Sequence, residues 1–159
     1  MLDLLSSPGD PFSRHHFQPG HFTASGFVLD ENRERLLAVY HRKLGRWLQP
    51  GGHVEPDDPH LLAAALREVK EEVGLTRLVL LPEAPDLFDL DVHSIPPLGS
   101  DPEHAHFDVR FLFVAEAPPP AGSPEGRLTR WIELAAAPSL LSDRSVLRAV
   151  EKIADLRRG

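Results

Sequence analysis

Glu68, Glu71 and Glu72 carry the chemistry that this sequence offers most plainly. At about 100° per residue of α-helix, spacings of i, i+3 and i+4 set the three carboxylates within an arc of about 100° on one face. Packed so, they repel one another by a few tenths of a kcal/mol per pair, and Arg67 and Lys70 offset only part of that repulsion. A divalent cation offsets it better, because hard ions such as Mg²⁺ take oxygen ligands, keep several waters and bind substrate phosphates. A solvated acidic helix face is the plainer reading of the same residues. Against it stands the Gly51-Gly52 pair leading into the helix, which brings backbone carbonyl and amide groups close to the carboxylates.

The helix that must hold these groups is expected over 59–73. Asp58 suits its N-cap, Pro59 its first turn and Gly74 its C-terminal break. Leu62, Leu66, Val69 and Val73 fall within about 60° of one another and make its buried stripe. Before it, 20–30 and Arg35–His41 read as a hairpin across a polar turn, and 47–48 begins a short strand that runs into the glycine break. After it, 76–81, 87–93, 105–116 and Thr129–Glu133 read as strands, with Pro96–Pro97, Pro118–Pro120 and Pro124 in the loops. Apolar positions at 146, 147, 150, 153 and 154 give a closing amphipathic helix over 143–156. Strands interleaved with two helices predict an α/β fold with helices on both faces of a mixed sheet.

Composition sets the bounds. A chain of 159 residues is expected to form a single domain over 1–159, and at that size a fold buries roughly 68–70% of its unfolded surface without staples. The absence of cysteine removes disulfides, thiolate metal sites and any cysteine nucleophile, and fits a cytoplasmic location. A net charge of −7 argues against a nucleic-acid partner bound through a basic face. Apolar runs such as 78–81 are too short for a membrane partner. The stretch 1–14, polar, acidic and broken by Pro8 and Pro11, does not read as a secretory signal.

Gly52 to Leu75 resembles the Nudix box, G-x5-E-x7-R-E-U-x-E-E-x-G-U, in which U is a bulky aliphatic residue. The half Arg67-Glu68-Val69-Lys70-Glu71-Glu72-Val73-Gly74-Leu75 matches at every specified position, and Gly52 matches the opening glycine. Between them, Asp58 stands where the pattern has Glu, and eight rather than seven residues separate it from Arg67. The resemblance implies an α/β/α sandwich. It also implies hydrolysis of a nucleoside diphosphate linked to another moiety X, assisted by Mg²⁺ or Mn²⁺. Carried over residue by residue, Glu68 and Glu72 are metal ligands with Glu71 assisting, and the Gly52 carbonyl adds a ligand. Glu68 takes the proton of the attacking water, and Arg67 orients the carboxylates. Glu125, before Trp131, resembles the loop that places an additional carboxylate near the metals.

Beyond the box, Arg42, Lys43 and Arg46 are the local cations for a diphosphate, or simply a solvated basic turn. Trp47 either stacks on a base or anchors the sheet. Asp89, Asp91 and His93 alternate with apolar residues, as do His104, His106, Asp108 and Arg110, so each polar set shares one strand face. If the two strands pair, that band is a substrate wall, a second site of Zn type built from His93, His104, His106 and an Asp, or an exposed polar face. His15, His16, His21, His41 and His60 read as surface or capping residues, whereas His53, beside Gly52, lies near the cleft. The related isopentenyl-diphosphate isomerases depend on a cysteine, which this chain lacks. The extra motifs of ADP-ribose, dinucleoside polyphosphate, coenzyme A and NADH enzymes are missing, which narrows the field only weakly and keeps a MutT-like triphosphate sanitiser among the readings. The alternative function is a non-catalytic Nudix module that binds a nucleotide as sensor or adaptor. Many family members form a homodimer, but no residue here marks an interface.

Overall fold

The computed structural model describes residues 1–117 and 123–158; the Pro118–Pro120 run lies outside them. The elements are α1 (Leu2–Leu5), β1 (Gly20–Leu29), β2 (Arg35–His41), β3 (Arg46–Leu48), β4 (Gly51–His53), α2 (Leu61–Val73), β5 (Leu78–Leu80), β6 (Asp89–Ile95), β7 (His104–Ala115), β8 (Thr129–Glu133), α3 (Ala137–Leu140) and α4 (Arg144–Leu156). They build one mixed sheet in the order β3-β2-β1-β7-β5, with β4 on β1, β6 on β7 and β8 on β2. At its centre β1 and β7 run parallel, from Gly20 opposite Ala105 to Leu29 opposite Val114. The other pairings are antiparallel.

The period of two along β1 and β7 divides their side chains between two cores. Phe22, Ala24, Val28, Phe107, Val109 and Phe113 pack against Ala64, Ala65, Val69 and Val73 of α2. Phe27, Leu29, Leu112 and Val114 pack on the opposite face against Val146, Ala149, Val150 and Ile153 of α4. The α/β/α layering expected from the sequence is therefore present. The polar reading of the N-terminal stretch misses its docking: Leu4 is buried in the α2-side core, and Phe12 stacks on Phe22 with ring centroids 5.2 Å apart. Among the described residues, no helix is long and apolar enough to cross a membrane.

Several local expectations are corrected. Helix α2 is capped by His60, whose Nδ1 accepts from the Ala63 N–H at 3.1 Å, and not by Asp58. Asp58 is engaged elsewhere, by Arg67. Gly74 does end the helix, in the left-handed conformation at φ 76° that favours glycine. The stripe facing the sheet is centred on Ala64, Ala65, Val69 and Val73; Leu62 and Leu66 sit half-buried at its edge. Small residues at 64 and 65 let the helix approach the sheet closely, and that rotation carries Glu72 inward as well. Gly51–His53 is not a break but a short strand against β1, with Ser25 opposite Gly51 and Thr23 opposite His53.

Candidate active site

The C-terminal half of α2 and strand β4 meet around a small group of charges. Glu72, 5% exposed, accepts from the Gly51 N–H at 3.2 Å through Oε2 and from Arg127 Nη2 at 3.0 Å through Oε1. Burial pushes its carboxyl up to about 7, against the opposing pull of Arg127 and the Gly51 N–H, while the negative charges of Glu68 and Glu125 add to the rise. Glu68 shares the pocket, and burial raises its carboxyl too although Arg67 draws it back. Gly52 closes against it: a Cβ on Gly52 would stand 2.6 Å from Glu68 Oε1, so a side chain there would push the carboxylate aside.

Arg67 ties the group together. It donates to Asp58 through Nη2 at 2.9 Å and to the His53 carbonyl at 2.8 Å. Through Nη1 it reaches Glu68 at 2.9 Å and Glu71 at 3.0 Å. Glu71 is exposed on the outer side of this cluster, and Glu125 is exposed and paired with Arg127 at 2.8 Å.

The carboxylates open into a cleft of roughly 1680 Å³. Its floor is the polar band expected from β6 and β7, and the pairing is as anticipated: Asp89 faces Arg110, Asp91 faces Asp108 and His93 faces His106. The band is not an exposed face. Asp89, His104, Asp108 and Arg110 are buried: β1, on the other side of β7, brings His21, Thr23 and Ser25 alongside, and Arg148 and Lys152 of α4 cover Asp89. Asp108 accepts from Thr23 Oγ1 at 3.1 Å, Ser25 Oγ at 2.8 Å and Arg110 Nε at 2.8 Å. His53 and His106 both line the cleft, and burial lowers their imidazoles to about 4 and about 3, with neighbouring positive charge adding to the effect.

The grouping of histidines differs from the one expected. His21, not His93, joins His104 and His106, because the parallel pairing of β1 with β7 sets His21 opposite His106. His21 is fully buried rather than superficial, and His93 turns to Asp91 at 3.2 Å. Arg46 lines the cleft, bonded to Asp143 at 3.0 Å, whereas Arg42 and Lys43 are exposed outside the lining. Trp47 is half-buried against the α4-side core and meets Tyr40 edge to face at 5.3 Å. Sequence reasoning missed Glu55, Arg127 and Arg148, which also line the cleft. Glu55 and Arg127 lie on irregular segments, where no periodicity marks a direction; Arg148 was readable as a polar position beside the apolar stripe of α4.

Residues 20–151 match the family model described as the NUDIX domain. The chain belongs to that family, and it is a hydrolase acting on phosphoanhydride bonds. Its fold is similar to that of a MutT protein from Methanosarcina mazei Go1, at TM-score 0.64 and 19% identity over 87% of this chain and 95% of that one. A Caenorhabditis elegans Ap4A hydrolase is similar at TM-score 0.62 and 17% identity, over 87% of this chain and 98% of that one. The Escherichia coli dihydroneopterin triphosphate pyrophosphohydrolase follows at 0.56 and 19%, over 82% and 92%. At these identities the likeness is one of fold.

Proposed function

We propose that the chain is a metal-dependent pyrophosphohydrolase that cleaves a nucleoside diphosphate linked to another moiety X, by attack of water on phosphorus. One observation carries the reading. Two largely buried carboxylates, Glu68 and Glu72, converge on a single cleft, and Gly52 packs its backbone against the Glu68 carboxylate. Their donor set, with the Gly52 carbonyl, is all oxygen and suits Mg²⁺ or Mn²⁺. Glu125 and Glu71 stand by as outer carboxylates. When bound, the ion supplies neutralisation of phosphoryl charge and acidifies the attacking water.

The remaining work belongs to the chain. Arg67 fixes the Glu68 and Glu71 carboxylates by donating to both. Glu68 accepts the proton of water as its oxygen bonds to phosphorus; the anhydride oxygen leaves with the electron pair of the broken bond. Arg46 and His53 face the substrate from the cleft walls, with His106 and Asp108 in the floor. Arg42 and Lys43, outside the lining, take no part in this reading. The similar structures are named for dinucleoside polyphosphate, pterin triphosphate and MutT activities, which supports a small nucleotide-like polyphosphate as substrate.

Phosphate release from nucleoside triphosphates, nucleotide sugars, ADP-ribose, dinucleoside polyphosphates and coenzyme A, with Mg²⁺ and with Mn²⁺, tests this. Metal-dependent turnover on one class is expected, falling at least about 100-fold in Glu68→Gln with an unchanged melting temperature. Turnover that Glu68→Gln retains in full would remove Glu68 from the chemistry. A silent panel together with tight nucleotide binding would instead favour a sensor module.

A further inference from the structure

We propose that His21, His104 and His106 form a second metal site, binding one divalent transition ion of the Zn²⁺ class beneath the cleft floor at His106, apart from the α2 glutamates. One nitrogen from each of the three imidazoles lies within 4.8 Å of the others. Nitrogens on one tetrahedral Zn²⁺ stand about 3.3 Å apart, given Zn–N bonds of about 2.0–2.1 Å, and small side-chain rotations supply that contraction.

Hydrogen bonding fixes which nitrogens are available. His21 Nδ1 faces the His16 carbonyl at 3.2 Å, and His104 Nδ1 faces the Pro102 carbonyl at 2.8 Å. A carbonyl only accepts, so each Nδ1 carries the proton and each Nε2 keeps its lone pair. Holding the far ring nitrogen on a carbonyl is how proteins orient metal-binding histidines. His21 is 0% exposed, and its Nε2 has no hydrogen-bond partner; the buried Nε2 of His106 has none either. A lone pair buried on His21 Nε2 without a donor is costly to the protein alone, and an ion satisfies it, with the unpartnered His106 nitrogen beside it.

The His53 ring stands 5.1 Å from the rings of both His21 and His106, at the cleft side and outside the set of three. Imidazole donors select Zn²⁺ and its transition-metal neighbours over Mg²⁺, whereas the carboxylates of α2 do the reverse. The two clusters would thus sort two kinds of ion by donor chemistry, and the histidine site does not depend on the pyrophosphohydrolase reading.

The test takes the full chain stripped by chelator, then dialysed against Zn²⁺ in a large excess of Mg²⁺, with bound zinc measured by atomic emission. One Zn²⁺ per chain is expected, unchanged in a Glu68→Gln, Glu72→Gln double variant. His104→Gln and His106→Gln should weaken binding by at least the roughly 10–100-fold that loss of an outer-shell partner costs. No retained zinc, or zinc lost from the glutamate variant and kept by the histidine variants, would overturn the site. Co²⁺ absorption on the unaltered protein decides independently of whether a variant folds: intense visible bands mark a low-coordinate nitrogen site, and weak octahedral bands would refute it.

Discussion

The Arg67 guanidinium donates to Asp58, the His53 carbonyl, Glu68 and Glu71 at once. Such a set needs a planar fork, which a lysine ammonium cannot reproduce. Arg67→Lys is therefore expected to keep the charge but release the carboxylates, lowering kcat at least about 10-fold and stability by about 1–3 kcal/mol for the hydrogen bonds left unmade. Steady-state kinetics beside urea unfolding checks both, and kinetics within twofold of wild type would deny Arg67 its positioning role. Asp58, the residue at which the sequence departs from the box, is the other half of that fork. Its side chain reaches Arg67 at 3.1 Å and 2.9 Å from the loop before the helix start at Leu61. The glutamates were legible because helical spacing fixes their relative directions. Glu55 and Arg127 were not, since their approach to the cleft depends on how loops close over the sheet. His21 was misread because its partners, His104 and His106, are more than 80 residues away along the chain and meet it only through the parallel pairing.

At the level of the elements, α4 is held to the sheet by a buried charge as well as by its apolar stripe. Asp89 of β6 is 3% exposed and receives Lys152 Nζ at 2.6 Å, Arg148 Nη2 at 2.7 Å and Arg110 Nη1 at 3.3 Å. Burial opposes ionisation there, but Arg148 and Lys152 outweigh it and hold the carboxyl below its ordinary value. Asp89→Asn should cost about 2–3 kcal/mol, less than the roughly 3–5 of a fully buried pair, because Arg148 and Lys152 are half-exposed and regain water. Since the folded pKa is depressed, the contribution is complete above the ordinary aspartate value of about 3.9 and is lost as pH falls through the folded value. Urea titrations at neutral pH and in acid should show the gap between wild type and Asp89→Asn closing; a gap that persists in acid would refute the charge argument. The start of α2 gives a smaller test. Ser at position 60 is a better N-cap than His, so His60→Ser should stabilise by about 0.5–1 kcal/mol, read as a higher urea midpoint. The strands other than β4 were legible from their apolar runs, and the end of α2 from Gly74. The N-cap of α2 was not, because an aspartate that fits a cap was claimed by an arginine two turns along the helix.

Over the whole molecule, the two cores are separate sets of side chains hung on the same two strands. Residues of β1 and β7 alternate between them, Phe22 and Phe107 toward α2 and Phe27 and Leu112 toward α4. Neither helix can leave without uncovering strands that the other still needs, so both layers are expected to unfold in one transition. Val69→Ala removes buried contact on the α2 face and Ile153→Ala on the α4 face. Expected losses are about 2 kcal/mol for the first and about 2–4 kcal/mol for the second. The two residues belong to different clusters with the sheet between them, so the double variant should add within about 0.5 kcal/mol. Trp131 packs on the α2-side core, so fluorescence read in a Trp131→Phe background leaves Trp47 to report the α4-side core, and far-ultraviolet dichroism reports both helices. Coincident urea curves from the two probes, in the single variants as in the wild type, are the expected outcome. If Ile153→Ala instead split the curves, the α4 layer would be a unit that opens on its own. The Arg148 wall of the cleft, which α4 carries, would then move with it.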